Sequence, residues 1–319
     1  MSVESAGRKI KTSGKRVSML RDIIKNPFSY MLVLPAMTYV FIFNYLTLPY
    51  ILMAFQKYNY RSGLLGSEFI GFKNFEFFFA SARAALVTYN TIFLNLLFLS
   101  TGTVTAVTLA LLLNEVKNKL FLRINQASLL FPNFISWVIV SYIAYAFFSQ
   151  RYGWLNTILQ TFGANPLNMY TNASYWPPAL TVIRLWKGMG MSSVIYMATI
   201  TGFDEGLYEA ARIDGASRLQ QTFFITIPLL VPTICILTLL SIGRIFYGDF
   251  QMIYALVGDN GILMETTDVV DTYVFRALRQ TGDPANAMAV GLYQALVGFI
   301  MVFFSNYLVR KLFPDGAIF

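Results

Sequence analysis

The sequence contains no histidine, a single cysteine and few charged residues, and each shortage removes a class of function. Without histidine, the usual general base and the commonest metal ligand are missing. One cysteine, Cys235, can form no disulfide within the chain, so cysteine usage assigns no redox compartment, and Cys235 reads as a small core residue. Charged residues make up 13% of the 319 positions, against roughly 25% in an ordinary soluble domain. So thin a polar coat does not cover a water-soluble globule of this length. A soluble catalytic domain, a linker, a low-complexity tract and a tandem repeat are also missing from the sequence.

What is plentiful is apolar: 56% of the residues are hydrophobic. They gather into six runs, Tyr30 to Phe55, Leu86 to Leu113, Ala127 to Phe148, Pro178 to Gly202, Pro228 to Phe250 and Ala289 to Val309. A helix needs about 20 residues to cross about 30 Å of hydrocarbon. The pattern predicts an all-α polytopic membrane protein with six transmembrane helices across 30–309, a basic segment over 1–29 and a short tail over 310–319.

The net charge is +8, yet its distribution points to a membrane rather than to nucleic acid. Arg8, Lys9, Lys11, Lys15, Arg16, Arg21 and Lys25 all precede the first run, where a positive-inside anchor belongs. That segment lacks an apolar stretch followed by small residues, so no cleaved signal peptide is expected. An even number of spans puts both termini on one side. Placing them in the cytoplasm gives the inner segments twice the Lys and Arg of the outer ones, although the loop from Phe203 to Ile227 is itself acidic. Val17, Leu20, Ile23 and Ile24 recur at helical spacing, which fits a helix lying on the membrane surface or a solvated tail. Gly71 to Phe79 interleaves aromatics with charges, as an interfacial anchor or a ligand-stacking site would. The connections Ser149 to Pro177 and Gln251 to Met288 exceed the usual length of about 12–15 residues for structureless loops. Short helices and contacts with an outside partner are expected there.

The most informative stretch runs from Leu207 through Glu209-Ala210-Ala211, Asp214-Gly215-Ala216 and Ser217-Arg218 to Ile225-Thr226-Ile227-Pro228. It opens with good helix formers, and Gly215 permits a bend that a Cβ would resist. A second helical turn is expected to stop at Pro228, which then opens the next span. Two short helices at an angle, attached to the fourth and fifth spans, would pass on a push as a stiff unit.

These residues resemble the EAA loop of binding-protein-dependent ATP-binding-cassette (ABC) importer permeases. Phe69 to Phe75, Asn90-Thr91, Gly153-Trp154-Leu155-Asn156 and Thr267 to Arg276 resemble the carbohydrate branch, particularly permeases for oligosaccharides and polysaccharide fragments. The resemblance implies a type I ABC importer permease fold in the cell membrane of a bacterium. It also implies a second homologous permease subunit, two copies of an ABC ATPase, an extracellular solute-binding protein and an oligosaccharide substrate. In that family the glutamate of the loop makes polar contacts in a cleft of the ATPase and the glycine sets the turn, which transfers to Glu209 and Gly215, within a coupling set that also includes Ala210, Ala211, Asp214, Ala216 and Pro228. No cofactor is implied.

Charges within a span are costly and mark partners or water-filled paths. Arg184 and Lys187 stand beside Trp186 in the fourth run, all candidates for the substrate pathway; near its outer end both cations would snorkel, whereas Lys187 facing the path with Trp186 would favour acidic sugars such as uronides. Arg244, Tyr247 and Asp249 fall in the fifth run, where Arg244 and Asp249 would neutralise each other or a companion subunit. Asn95 and Asn306 read as hydrogen-bonding residues between helices or as substrate contacts. Two rival classes remain: an ion-coupled secondary sugar transporter, which normally needs intramembrane carboxylates or broken helices, and a membrane scaffold that senses sugar without moving it. An intramembrane hydrolase lacks its nucleophile and base.

Overall fold

The computed structural model describes residues 25–312, and the chain divides into two units, Met1–Ile51 and Leu52–Phe319. The expected surface helix around Val17 to Ile24 lies outside the described residues, as does the end of the C-terminal tail. Nearly every element is helical. The first unit carries α1 (Pro27–Val40), which continues through a π-helical turn, Phe41–Tyr45. Pro35 sits inside α1.

The second unit opens with a two-residue antiparallel ladder pairing Gln56 with Phe69 and Lys57 with Glu68. It then builds α2 (Lys73–Phe79), α3 (Ala84–Asn114), α4 (Lys119–Leu130), α5 (Trp137–Phe148), α6 (Trp154–Thr161) and α7 (Trp176–Ile200). After these come α8 (Glu205–Ile213), α9 (Arg218–Ile242), α10 (Phe250–Val257), α11 (Val270–Thr281) and α12 (Pro284–Leu312).

Among the described residues, four helical stretches are long and apolar enough to cross a membrane: Pro27–Phe55, Ala84–Asn114, Arg218–Ile242 and Pro284–Lys311. The third expected span is not one straight helix. Lys119–Phe134 and Trp137–Phe148 meet at 99° and make a fifth crossing only if the bent pair counts as one. Proline in the run explains the break, because Pro132 has no N–H to donate and disfavours helix at the residue before it. Ser136 then restarts the chain as an N-cap, its hydroxyl accepting from the Ile139 N–H. The fourth run does form one helix, α7, but two cations and several glycines and serines leave it less apolar than those four.

The fifth run is also redrawn. Its helix begins at Arg218, ten residues before Pro228, and ends at Ile242. Pro228 therefore does not stop a helix. The π turn Thr222–Thr226 widens the register just before it, where a proline ring would otherwise press on the carbonyl four residues back. At the other end Gly243 caps α9 and Asp249 caps α10 by accepting from the Met252 N–H, so Arg244, Tyr247 and Asp249 occupy a bend rather than a span.

Packing follows residue size. Ala106 and Ala110, fully buried one turn apart on α3, allow α7 and α9 to close on them through Tyr196, Ile200 and Leu230. Nearer the other end of α7, Trp176, Leu180, Met252, Leu263 and Val269 form a second core with Leu94 of α3. The Gly71 to Phe79 segment forms α2, with Phe78 buried against Tyr273 and Tyr293 while Phe72, just before the helix, and Phe79 stay exposed.

Candidate functional site

α3, α7, the last turns of α9 and the bend after it line a cavity of about 960 Å³, at the upper end of the roughly 300–1,000 Å³ range of small-molecule sites. Its wall mixes ring faces (Phe98, Tyr196, Tyr247, Phe250) with hydroxyls and amides, and its charged residues are Arg184, Arg244 and Asp249. Gly102 and Gly188 face it with open space where a Cβ would stand.

The expected path residues separate in the structure. Arg184 and Tyr247 line the cavity, whereas Lys187 does not, and Trp186 lines a separate cavity of about 380 Å³ with Pro132 and Phe121. Arg184 and Lys187 stand eight and eleven residues into α7, so Lys187 is about 16 Å along it at 1.5 Å per residue. That is mid-helix, and both cations are held there by protein partners. Arg184 Nη1 lies 2.6 Å from Asp249 Oδ2, with its guanidinium 4.8 Å from the Phe98 ring centroid. Asp249 therefore neutralises Arg184 and not Arg244. Lys187 Nζ donates to the carbonyls of Pro132, Asn133 and Ile135 at 3.2, 2.8 and 2.6 Å, over the Trp137 ring.

Polar clips fix the bend that carries Tyr247. Asn95 Nδ2 donates to the Ile245 and Tyr247 carbonyls at 3.0 and 3.1 Å, which joins α3 to the bend as an interhelical asparagine should. Gly248 donates its N–H to Asp271 of α11, and Gln294 of α12 donates to both Asp271 and the Phe246 carbonyl. Only glycine fits at 248, because a Cβ would meet Val269 and the Asp271 carboxylate. Burial raises the Asp271 carboxyl above its ordinary range, with Asp249 adding to the rise and the bonds from Gly248 and Gln294 opposing it.

Each short motif singled out in the sequence turns out to be such a clip. Asn90 Nδ2 donates to the carbonyls of Glu265 and Asp268, and Thr91 accepts from the Val270 N–H. Asp268, 1% exposed, holds Arg276 at 2.5 Å and accepts from Thr272. Asn156 pins its loop by pairing with both backbone groups of Leu167, at 2.7 and 2.8 Å. A Cβ at Gly153 would collide with the backbone of Phe147 and Ser149. Burial pushes the Tyr170 hydroxyl of the same region up to about 12, with Tyr145 beside it adding to the shift. The sequence signalled these residues as patterns without revealing what each holds.

At the far end of α7 and α9 stands the bent hairpin. Asp204 caps α8, whose last residues close as Gly215 N–H to Arg212 O and Ala216 N–H to Ala211 O, at 3.1 and 2.8 Å. That pair of bonds is the Schellman ending, which requires a left-handed residue, and Gly215 supplies it at φ +82°. Ser217 and Gln220 then form a capping box that starts α9. Tyr208 OH and Thr226 Oγ1, 3.0 Å apart, staple the two arms, while Arg218 pairs with Glu115 at the end of α3. Glu209, Ala210 and Ile213 share one helical face, where Ile213 is 86% exposed. Asp214 is the exposed C-cap, Ala211 and Ala216 are half-buried, and Pro228 is exposed on α9.

Residues 102–314, two-thirds of the chain, match the family described as binding-protein-dependent transport system inner membrane component. The chain belongs to this family. It is 35% identical over 95% of its length, and 94% of the relative's, to the polygalacturonan/rhamnogalacturonan transport system permease protein YteP of Bacillus subtilis. To Protein LplB of the same organism it is 31% identical over 96% of its length and 95% of the relative's. A solved bacterial ABC transporter involved in import of the acidic polysaccharide alginate superposes with a TM-score of 0.84 at 31% identity, covering 92% of this chain and 99% of that one. A second alginate transporter structure, in complex with an alginate pentasaccharide-bound periplasmic protein, gives 0.83 over 92% and 98%. The type I ABC permease fold, the membrane location and a role in sugar transport follow for this permease.

Proposed function

We propose that this permease moves acidic oligosaccharides of the uronide type across the cell membrane, driven by a separate ATPase that docks on the Glu205–Arg218 hairpin. The observation that carries the reading is mechanical. The elements that wall the cavity include α3, α7 and α9; the hairpin follows α7 directly in the chain and leads into α9, is tied to α3 by Arg218–Glu115 and to α9 by Tyr208–Thr226, and the three helices pack on one another at Ala106, Ala110, Ile200 and Leu230. A displacement of the hairpin therefore shifts the cavity wall without any intermediate part.

The termini and hairpin lie in the cytoplasm in this reading, as the sequence charge bias favours. Its partners are a second permease, two ATPase copies and a solute-binding protein, and the ATPase performs all the hydrolysis. Glu209, Ala210 and Ile213 form the docking face: small residues leave a shallow surface and Ile213 offers apolar area. Asp214, Gly215 and Ala216 set its angle. Pro228 sits in the helix that receives the push.

The test is co-purification of the permease pair with its ATPase. Gly215→Val forces a β-branched residue to φ +82°, where even an ordinary residue costs about 1–2 kcal/mol, while its Cβ meets nothing within 4 Å. Only backbone direction is perturbed. Loss of ATPase co-purification with retained membrane insertion is expected; an unimpaired complex, or labelling of the hairpin from outside the cell, would overturn the proposal. Uptake that persists without ATP while an ion gradient is held would instead favour the secondary transporter.

A further inference from the structure

Arg184, Lys187 and Arg244 have different fates in the fold. Lys187 has three N–H donors and places them on three carbonyls. Arg184 is paired with Asp249 and stacked on Phe98. Arg244 lines the cavity, is exposed, and its side chain makes no ion pair, hydrogen bond or ring contact with any described residue. Of the charges on the wall, two arginines face one aspartate, so the surplus positive charge belongs to Arg244.

A cation kept in a cavity within a membrane bundle is costly unless an anion or water serves it. We propose that Arg244 is the specificity residue of the path, binding the carboxylate of each passing uronate unit. The inference rests on the acidic-oligosaccharide reading above. A guanidinium matches a carboxylate with two parallel N–H donors, which a neutral sugar cannot use equally. Tyr247, three residues further on and 41% exposed, offers a ring face beside it. The bend that carries both residues is fixed by Asn95 and by the bond from Gly248 to Asp271, so the guanidinium is anchored on a rigid base. Lys187 and Arg184 then support the wall and do not read the cargo.

The experiment uses the complete transporter, with ATPase, companion permease and wild-type binding protein, in sealed vesicles. Uptake of trigalacturonate is compared with that of its neutral methyl ester. Because the binding protein is unchanged, its own preference cancels when variants are compared. Arg244→Gln should lower the acidic-to-neutral uptake ratio about tenfold, the equivalent of one charge-assisted hydrogen bond of about 1.4 kcal/mol. Arg244→Lys should restore part of the ratio, which separates loss of charge from loss of fold. A wild-type ratio in Arg244→Gln overturns the inference while leaving the importer reading intact. Wild-type vesicles that take up the ester but not trigalacturonate overturn the acidic-substrate reading, and this inference with it.

Discussion

Replacing Lys187 with methionine tests whether a cation inside a helical bundle serves the cargo or the fold. The chain between Phe131 and Ser136 leaves helix α4 and turns by 99° before α5 starts. Carbonyls at such a break have no helical N–H to accept from, and the Lys187 ammonium serves three of them at 2.6 to 3.2 Å. A hydrogen bond to a charged group contributes about 1.5–3 kcal/mol where well formed. One of the three is exposed and one is long, so about 1 kcal/mol each is the better figure.

Loss of the ammonium over the Trp137 ring adds about 0.5–1 kcal/mol, while methionine keeps most of the apolar stem contact. Lys187→Met should therefore destabilise by about 3.5–4 kcal/mol, which at about 2–4 °C per kcal/mol lowers the unfolding midpoint by about 7–16 °C. Thermal unfolding of the purified permease pair in detergent measures this, and vesicle uptake accompanies it. Acidic and neutral oligosaccharide uptake should fall in the same proportion. An unchanged midpoint together with selective loss of acidic uptake would refute the reasoning and return Lys187 to the transport path.

Arg276→Met leaves Asp268 buried without its cation and should cost about 3 kcal/mol, seen as a lower unfolding midpoint; the double variant with Asp268→Asn should cost less, because no charge is then stranded. Asp271 has its folded-state pKa raised from 3.8. Its contribution is thus fully present below the unfolded value and lost as pH rises through the folded one. Stability measured against pH for the wild type minus Asp271→Asn should fall across that interval, and a difference that rises with pH would contradict burial as the dominant cause.

How much of this was legible in the sequence depends on the range over which each signal acts. The hairpin was legible because its determinants are local: Asp204 as cap, Gly215 as the left-handed closure and Ser217 with Gln220 as the next start lie within 17 residues and need no tertiary partner. Its one error has the same root. Pro228 reads locally as a helix stop, but a π turn ending two residues earlier absorbs it. The straight third span failed for the opposite reason, since apolar composition continues through Pro132 and says nothing of the 99° turn that Lys187 holds together from 52 to 55 residues away. Likewise Arg244 and Asp249, five residues apart, read as neutralising each other or a companion subunit, whereas Asp249 pairs with Arg184, 65 residues away.

The long-range clips also divide the bundle into two regimes. Around the 243–249 bend, Asn95, Asp271 and Gln294 join α3, α11 and α12, with Asn90, Thr91 and the buried Asp268–Arg276 pair securing α11 in turn. At the hairpin, the polar ties to the adjoining helices among the described residues are one hydroxyl pair, the bond from the Gln221 side chain to the Ala216 carbonyl and one largely exposed ion pair, Arg218 at 67% and Glu115 at 48% side-chain exposure. Exposed pairs contribute about 0–1 kcal/mol each, whereas breaking a buried pair costs about 3–5 kcal/mol. A force applied to the hairpin should therefore bend α7 and α9 at their loosely tied end and pivot them about the clipped one. The cavity would then open and close at one end while Arg244 and Tyr247, seated on the fixed bend, stay in register with the passing sugar.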